Sequence, residues 1–180
     1  MELSQFKSEL SFKNKLLRLV WGWVWLLLFR PSPRTFHSWR AFLLKVFGAS
    51  LGKGTRVYNS AKVYYPPNLR LGDQVVIGPD VDVYCVAPVT IGSNSMVSQY
   101  AYLCAASHDY QLPNLPLIAS PINIGERTWI CAKAFIGPGV TLGDRCVVGA
   151  CSVVVKDSGD RCLLAGNPAR VLKTIKDADV

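Results

Sequence analysis

Residue His108 is the strongest candidate for acid–base chemistry in this chain of 180 residues. It opens the only long insertion in a segment of otherwise regular repeats, and a proline-rich loop follows it. A neutral imidazole can take the proton of a hydroxyl near neutral pH, which is the task of a general base. Taken alone, a histidine is as often structural as catalytic. The second histidine, His37, has no acidic or cysteine neighbours in the sequence and is interpreted as a surface or packing residue.

The six cysteines offer little metal or redox chemistry, because no pair has the two-residue spacing of zinc and redox motifs. Cys146 occupies an inward position of the repeats and is interpreted as a small core residue. The chain therefore predicts no metal site and no disulfide framework. A reducing, cytoplasmic setting is expected to follow from this cysteine usage.

The repeats extend from Leu71 to Gly159, where a short apolar residue recurs every six positions. This period fits neither a helix, with a period near 3.6, nor a half-buried strand, with a period of 2. It is typical of a coil of short strands in which each unit forms one side of a prism. Interruptions fall after every third unit, at 69–70, 89–90 and 109–123, so three units are expected to close one turn. The predicted inward anchors are Leu71, Ile77, Val83, Ile91, Val97, Leu103, Ile124, Ile130, Ile136, Leu142, Val148 and Val154.

The predicted fold class is therefore all-β, a parallel β-helix of about five coils with an N-terminal helical extension. Residues 1–50 form the extension, and residues 51–159 form the β-helix with a loop at 109–123. Residues 160–180 form a C-terminal tail. The first coil is irregular in sequence, with Leu51, Val57 and Val63 as its anchors.

Most of the net charge of +8 belongs to the extension, since residues 1–50 carry eight basic and two acidic side chains. A charge confined to one terminus does not indicate nucleic-acid binding, and no nucleic-acid partner is predicted. The uncharged run at 19–29 is shorter than the ~20 residues that a spanning helix needs, and no signal-peptide cleavage site follows it. Residues 13–30 combine three tryptophans with flanking basic residues, which is typical of a helix lying on a bilayer surface. The alternative is a helix packed on the base of the β-helix or on a neighbouring subunit.

A second helix is predicted from Thr35, as N-cap, to Gly48. Its apolar residues fall on one side, and Arg40 and Lys45 are expected on the opposite side. This helix is predicted to cap the lower end of the prism, where the first coil would otherwise expose its backbone edge.

The chain resembles the hexapeptide-repeat acyltransferases, and within that family the colanic acid biosynthesis O-acetyltransferases, relatives of the maltose and galactoside acetyltransferases. The resemblance covers roughly half the chain. The resemblance implies that the β-helix is left-handed, that the protein is a homotrimer and that acetyl-CoA is the cosubstrate. The matching segments are APVTIG (87–92), SHDY (107–110), WI (129–130), IGPGV (136–140), GACSVV (149–154) and GNPAR (166–170).

The resemblance also implies roles for individual residues. His108 is the general base, and Asp109 either orients its ring or serves as a turn residue. Asp80, Asp82 and Tyr84 fall one coil below His108 and are candidates for contacts with sugar hydroxyls. The loop at 109–123 either walls the acceptor pocket of an adjacent subunit or serves only in trimer packing. The cofactor-binding residues implied are Trp129, Ala132 and Ala150 along the coils, and Lys156, Arg170 and Lys173 near the phosphates. Val155 stands where the family often has threonine.

The function expected is transfer of acetyl from acetyl-CoA to a sugar hydroxyl in exopolysaccharide biosynthesis. The acceptor is a free, nucleotide-linked or lipid-linked sugar, and the N-terminus favours lipid linkage at the inner face of the membrane. Alternatives are acetylation of another small hydroxylated acceptor and a non-catalytic trimeric scaffold. A γ-type carbonic anhydrase would need several ligating histidines in the prism, and only His108 lies there.

Overall fold

The computed structural model of the protein describes residues 10–176. The first nine residues of the predicted extension 1–50 and the last four of the predicted tail 160–180 lie outside the described residues. Two helices come first, α1 (Phe12–Val24) and α2 (His37–Val46), and a π-helical segment, Trp25–Phe29, continues directly from α1. The rest of the described chain is built from short strands and turns, with one 3-10 helix at Pro66–Asn68.

The strands form five stacked coils, each with three sides, as the six-residue period predicts. Sheet A contains β1 (Ser50–Leu51), β4 (Leu69–Leu71), β7 (Val89–Ile91), β12 (Ile122–Ile124) and β15 (Thr141–Leu142). Sheet B contains β2 (Arg56–Val57), β5 (Val76–Ile77), β8 (Met96–Val97), β13 (Trp129–Ile130) and β16 (Val147–Val148). Sheet C contains β3 (Lys62–Val63), β6 (Asp82–Tyr84), β9 (Tyr102–Cys104), β14 (Phe135–Ile136) and β17 (Val153–Val154). All pairings between coils are parallel, so the predicted parallel β-helix is confirmed.

The prism interior is filled by the predicted anchors, each of which lies beside the anchor of the next coil. In sheet A the ladder reads Leu51, Leu71, Ile91, Ile124 and Leu142. Every anchor of the five coils is less than a tenth exposed, because each short strand turns alternate side chains into the prism. At ~25 cal/mol per Å2 of buried apolar area, this column is the main stabilising feature of the fold.

One inward position departs from the pattern. The residue four positions after each anchor is also predicted to point inward, and after the anchor Leu103 this residue is Ser107. This prediction is wrong, because the chain leaves the prism after the buried Ala105 and Ser107 is exposed on β10 (Ala106–His108). Strand β10 pairs antiparallel with β11 (Leu117–Ala119) to form a hairpin. Strand β12 then begins at Ile122, so the fourth coil resumes two residues before the end of the predicted loop 109–123.

The upper end of the prism is covered by a C-terminal hairpin. Strand β18 (Cys162–Gly166) adds to sheet B beside β16, and β19 (Ala169–Thr174) pairs antiparallel with β18. The hairpin therefore covers the upper edge of sheet B, whose backbone groups would otherwise be open to pairing with another chain.

The lower end is capped by side chains of the helices. In each coil the strand carbonyls point toward the coil below and accept hydrogen bonds from its N–H groups. The first coil has no coil below it, so its strand carbonyls need other donors. The indole of Trp21 donates to the Val63 carbonyl at 2.7 Å, and that of Trp25 donates to the Ala61 carbonyl at 2.8 Å. A buried carbonyl without a donor would cost about 1–3 kcal/mol, so these contacts hold the extension on the prism. Packing on the base, one of the two predicted placements of the first helix, is thus observed.

The prediction that Arg40 lies on the outer side of α2 is wrong, because its side chain is completely buried. Its guanidinium donates to the carbonyls of Val57 at 2.6 Å, Pro33 at 2.8 Å and Arg34 at 2.7 Å, and to the Ser32 hydroxyl at 2.9 Å. Burial lowers the pKa of the Arg40 guanidinium from its ordinary value. Arginine carries five fixed N–H donors, and here they join the helices to the first coil.

The six cysteines are free thiols, and Cys146 is buried in the prism as predicted. Burial raises the pKa of the Cys85 thiol to about 12, whereas Cys151 is exposed. Within residues 10–176, no helix has the length and apolar character needed to cross a membrane.

Candidate active site

His108 lies at the end of β10, where the hairpin leaves the corner between sheets C and A, here called the C/A corner. Its side chain is exposed, and its Nδ1 lies 2.8 Å from the carbonyl oxygen of Leu115. A carbonyl only accepts, so Nδ1 carries the proton in this contact and Nε2 carries the lone pair. The imidazole is therefore held in the tautomer that a general base requires, with Nε2 as the accepting atom.

The carbonyl that orients His108 belongs to a residue with unusual backbone geometry. Leu115 has a φ of 45°, in the left-handed region that costs a residue other than glycine about 1 kcal/mol or more. The Asp109 N–H donates to the Pro116 carbonyl, and the Asp109 carboxylate accepts from the Gln111 N–H at 2.9 Å. Asp109 thus stabilises the turn of the hairpin, and the Leu115 carbonyl is the group that meets Nδ1.

Asp82 and Tyr84 lie on β6 of sheet C, one coil below the strand that leads to His108, as predicted. Tyr84 belongs to a ladder of rings on the outer side of sheet C, with centroids 4.6 Å from Tyr64 and 6.4 Å from Tyr102. Burial beside these rings raises the pKa of the Asp82 carboxyl, and the positive charge of Lys62 opposes the rise. Both side chains are half-buried and can offer polar atoms to a hydroxylated ligand.

Asp80 lies elsewhere, in the turn that joins sheets B and C, here called the B/C corner. Its N–H donates to the Ser60 hydroxyl at 3.0 Å, and its side chain is exposed. The structure therefore separates Asp80 from the C/A corner that carries His108. Ala132 and Ala150 occupy the same B/C corner two and three coils higher.

Ala132 and Ala150 are stacked, since the Cys151 N–H donates to the Ala132 carbonyl at 3.0 Å. Among residues 10–176, neither the Ala132 N–H nor the Ala150 N–H donates a hydrogen bond to another group. Small side chains and outward N–H groups on successive coils suit a thin chain with amide carbonyls running along this corner. The pantetheine arm of coenzyme A has this character, so the corner fits the cosubstrate that the sequence implies.

Trp129 lies on the outer face of sheet B, beside that corner, and is 44% exposed. Its indole N–H donates to the Ser98 hydroxyl at 2.8 Å, which fixes the plane of the ring. Trp129 and Lys173 line one cavity of about 390 Å3. The structure thus brings together two of the predicted cofactor-binding residues that are 44 positions apart in the sequence.

Lys156 and Arg170 line a second cavity, of about 220 Å3, at the upper end of the prism. Both side chains are exposed and positively charged, while the nearby Asp157 carboxylate accepts a hydrogen bond from the Thr141 N–H at 2.8 Å. A lysine and an arginine facing one cavity suit a phosphate group. All six predicted cofactor-binding residues therefore lie on the fourth and fifth coils and the C-terminal hairpin.

Two arginines that the sequence reasoning missed also line the cavity of Trp129 and Lys173. Arg127 and Arg145 occupy the same slot of the turn between sheets A and B in successive coils, each with φ near 55°. Their 18-residue spacing is three repeats of six, and this is the signal that could have identified them. Together with Lys173 they make this cavity strongly cationic.

A single chain does not bring His108 and the stacked alanines to one corner, although Lys156, which follows β17 of sheet C, lies at the C/A corner two coils above the hairpin. His108 projects from the C/A corner after the third coil, whereas Ala132 and Ala150 lie at the B/C corner. Sheet C separates the two corners.

Comparisons with known proteins agree with this geometry. Residues 121–156 match a family model described as bacterial transferase hexapeptide (six repeats). The chain is 41% identical over 174 residues to Escherichia coli K12 WcaF, a protein provisionally named as a colanic acid biosynthesis acetyltransferase, and the match covers 96% of both chains. It is 32% identical to the galactoside O-acetyltransferase of the same organism, over 78% of this chain and 70% of that protein.

Solved structures give the same result. A galactoside acetyltransferase in complex with coenzyme A has a TM-score of 0.86, with 28% identity over 99% of this chain and 94% of that chain. A hexapeptide-repeat acetyltransferase from Vibrio cholerae, complexed with acetyl-CoA, has a TM-score of 0.84 with 28% identity over 94% and 93% of the two chains. The likeness in sequence and in structure extends along nearly the whole chain. The protein therefore belongs to the hexapeptide-repeat acyltransferase family.

Proposed function

We propose that the protein transfers acetyl from acetyl-CoA to a hydroxyl of a sugar used in exopolysaccharide biosynthesis. The observation that carries this proposal is the contact between His108 Nδ1 and the Leu115 carbonyl, which leaves Nε2 as a proton acceptor. The names of the relatives, colanic acid biosynthesis acetyltransferase and galactoside O-acetyltransferase, support a sugar acceptor.

In the proposed reaction, His108 Nε2 takes the proton of the acceptor hydroxyl while that oxygen bonds to the thioester carbonyl carbon. The carbon–sulfur bond breaks, and the proton held on Nε2 passes to the departing sulfur. The products are the O-acetyl sugar and coenzyme A with a free thiol. No side chain is acylated, and atoms and charge balance without a metal or a redox partner.

We further propose that the site is completed between subunits of a homotrimer. The separation of the C/A and B/C corners supports this, because a neighbouring chain related by a threefold axis can bring its own cofactor-binding corner to His108. The proline-rich segment between β10 and β11 is expected to reach the adjacent subunit. A non-catalytic trimeric scaffold, the alternative, would need neither an oriented imidazole nor a cationic cavity.

The acceptor is proposed to be carried on a lipid or a nucleotide in the cytoplasm, where acetyl-CoA is available. Lipid linkage is favoured, and peripheral association with the inner face of the membrane through residues 13–30 belongs to this proposal. Another small hydroxylated acceptor is the second candidate. The test is to incubate the protein with acetyl-CoA and a panel of free, nucleotide-linked and lipid-linked sugars. Released coenzyme A and O-acetyl products are then measured for each acceptor. No turnover on the panel would contradict acyl transfer to sugars.

Replacing Arg170 with alanine is expected to weaken acetyl-CoA binding by about 1.5 to 3 kcal/mol, or roughly 10- to 150-fold in Kd. The reason is the loss of a charge-assisted contact to a phosphate in the cavity shared with Lys156. Calorimetric titration with acetyl-CoA measures the change. Lys176→Ala, which removes an exposed basic residue of the same tail, is the control and should bind as the wild type does. An unchanged affinity in Arg170→Ala would show that phosphate binding lies elsewhere.

Coenzyme A is expected to protect Cys151 from alkylation, because this exposed thiol follows Ala150 at the B/C corner. At a coenzyme A concentration ten times Kd, the rate of modification by iodoacetamide should fall about tenfold. Mass spectrometry of time points gives the rate for each cysteine. Cys85 is the internal control, since burial raises its pKa to about 12 and keeps it unreactive in both conditions. Equal rates at Cys151 with and without coenzyme A would place the pantetheine arm away from this corner.

A further inference from the structure

The helices at the lower end of the prism expose a large apolar surface, here called the helical base. On α1 and the π-helical segment the exposed side chains include Trp23 at 59% and Leu27 at 61%. On α2 they include Phe42 at 56% and Val46 at 62%. The full set is Phe12, Leu16, Leu19, Val20, Trp23, Leu26, Leu27, Leu28, Phe36, Trp39, Phe42 and Val46. A patch of this extent on a soluble domain indicates an interaction site.

This surface is a second apolar face and does not belong to the packing of the helices on the β-helix. At 3.6 residues per turn, Leu16, Leu19 and Trp23 lie on the side of α1 opposite Trp21. Trp21 is 3% exposed and donates to the first coil, so the opposite side points away from the prism. A groove of about 360 Å3, lined in part by Leu27, Leu28, Phe36 and Trp39, joins the two helices on this surface.

Within the described residues, the charge of the lower end has one sign. Residues 10–72, which form the helices, the first coil and the first strand of the second coil, contain eleven basic and no acidic side chains. Residues 73–180 contain eight basic and ten acidic side chains, so the excess does not extend to the upper end. All of the eleven except Arg18 and Arg40 are exposed. The eleven are Lys13, Lys15, Arg18, Arg30, Arg34, Arg40, Lys45, Lys53, Arg56, Lys62 and Arg70.

We infer that the helical base docks on the surface of an anionic lipid bilayer, with the axis of the β-helix directed away from the membrane. Exposed tryptophan, phenylalanine and leucine side chains enter the headgroup and acyl boundary, and the surrounding basic residues contact anionic headgroups. The described helices are too short to span the bilayer, so the base lies on it. The coils stack in sequence order, which leaves the fourth and fifth coils and the C-terminal hairpin at the aqueous end for soluble acetyl-CoA.

The positive charge of the helical base favours a membrane over a second copy of this chain as its binding partner. Two helical bases placed face to face would bring together two surfaces whose described residues are basic or apolar, and like charges in contact oppose association. An anionic bilayer complements both the apolar and the basic character of the surface. A threefold arrangement of parallel chains would place three such bases on one side, which strengthens binding through multivalency. The inference rests on the peripheral association proposed above for residues 13–30 and extends it to the whole helical base, whereas acyl transfer itself is not needed for it.

The test is cosedimentation of the full chain with vesicles containing about one third phosphatidylglycerol in phosphatidylcholine, with pure phosphatidylcholine vesicles in parallel. Binding to the anionic vesicles is expected, with a loss of about tenfold or more when the salt is raised to ~1 M, where the Debye length is ~3 Å. The variant Leu19→Gln/Trp23→Gln/Leu27→Gln should bind at least about tenfold more weakly, because it removes apolar area that enters the bilayer. These residues are exposed, so the variant is expected to fold, which circular dichroism checks.

Two single variants provide a matched comparison, with Leu19→Gln as the test and Leu172→Gln as the control. Leu19 is 61% exposed and Leu172 is 63% exposed, and the two leucines lie at opposite ends of the prism. Only Leu19→Gln should reduce vesicle binding. Equal binding by wild type and triple variant, or no binding to either vesicle, would overturn the inference. A change of oligomeric state in the triple variant by ultracentrifugation, without vesicle binding by the wild type, would assign the surface to a second copy. Acetyl transfer to a soluble sugar, measured on the same samples, tests the acyl-transfer proposal separately.

Discussion

Replacing His108 with alanine is expected to lower the turnover rate of acetyl transfer by about 10² to 10⁴. The imidazole takes the proton of the acceptor hydroxyl in the proposed reaction, and the Leu115 carbonyl holds it in the tautomer that can do so. Affinity for acetyl-CoA should stay close to the wild-type value, because the predicted cofactor-binding residues all lie outside the hairpin that carries His108. Stability should also change little, since His108 is exposed on the hairpin. Steady-state kinetics and calorimetry together measure these effects.

His108→Asn separates proton transfer from hydrogen bonding. An amide can still donate to the Leu115 carbonyl but cannot take the hydroxyl proton, so this variant should be as inactive as His108→Ala. The matched control is His37→Asn, the same change at the second histidine, which contacts the Val57 carbonyl at the base of the prism. Its turnover should match that of the wild type. If either His108 variant keeps more than about a tenth of the activity, positioning of the substrates accounts for catalysis instead of a base.

Trimers that contain two different variants test whether the active site is shared between subunits. If His108 of one subunit meets the cofactor bound at another, coexpressed His108→Ala and Arg170→Ala chains should form some sites in which both residues are intact. At an acetyl-CoA concentration far below the Kd of Arg170→Ala, such mixtures are expected to be more active than either variant expressed alone. Mixtures no more active than the separate variants would place the whole site within one chain.

The interior of the β-helix could be predicted from the sequence because a single rule governs it. Each side of the prism must turn one apolar residue inward, so anchors such as Ile91 and Ile124 follow a fixed period whatever the rest of the coil contains. A break in the same six-residue period indicates where the chain leaves the β-helix, near His108. The period also explains why the inward prediction fails at Ser107. This residue has the expected spacing from Leu103, but it lies on β10, where the chain has already left the coil.

The parts that could not be predicted depend on backbone groups and on contacts between distant segments. The carbonyl that meets His108 belongs to Leu115, and its position follows from a left-handed backbone conformation that leucine does not signal. The direction of the first-coil carbonyls decides which helix residues turn inward. A helical pattern places charged residues outside, so it assigns Arg40 to solvent, whereas its guanidinium is held inside by hydrogen bonds to the carbonyls of Val57, Pro33 and Arg34.

Replacing Arg40 with methionine is therefore expected to lower the free energy of unfolding by about 3 to 5 kcal/mol. Methionine fills a similar volume but donates no hydrogen bond, so the change removes the four hydrogen bonds that the guanidinium donates to three carbonyls and the Ser32 hydroxyl. The Pro33 carbonyl keeps the Phe36 N–H as donor, and the Val57 carbonyl keeps its contact with His37 Nδ1. A buried group left without its donor costs about 1–3 kcal/mol, partly offset because a buried charge is also removed. Urea unfolding followed by circular dichroism, at one fixed protein concentration, measures the change in the midpoint.

Lys45→Met is the matched control, since Lys45 is an exposed basic residue of the same helix. Its effect should stay within about 0.5 kcal/mol, as is usual for surface substitutions. Arg40→Lys should fall between the two, because one ammonium group cannot donate to carbonyls on opposite sides of the fork that the guanidinium forms. If Arg40→Met is as stable as Lys45→Met, the helices are held on the first coil by apolar contacts and the tryptophan hydrogen bonds alone. A large loss confined to Arg40→Met would instead show that this single buried guanidinium joins the helical base to the β-helix.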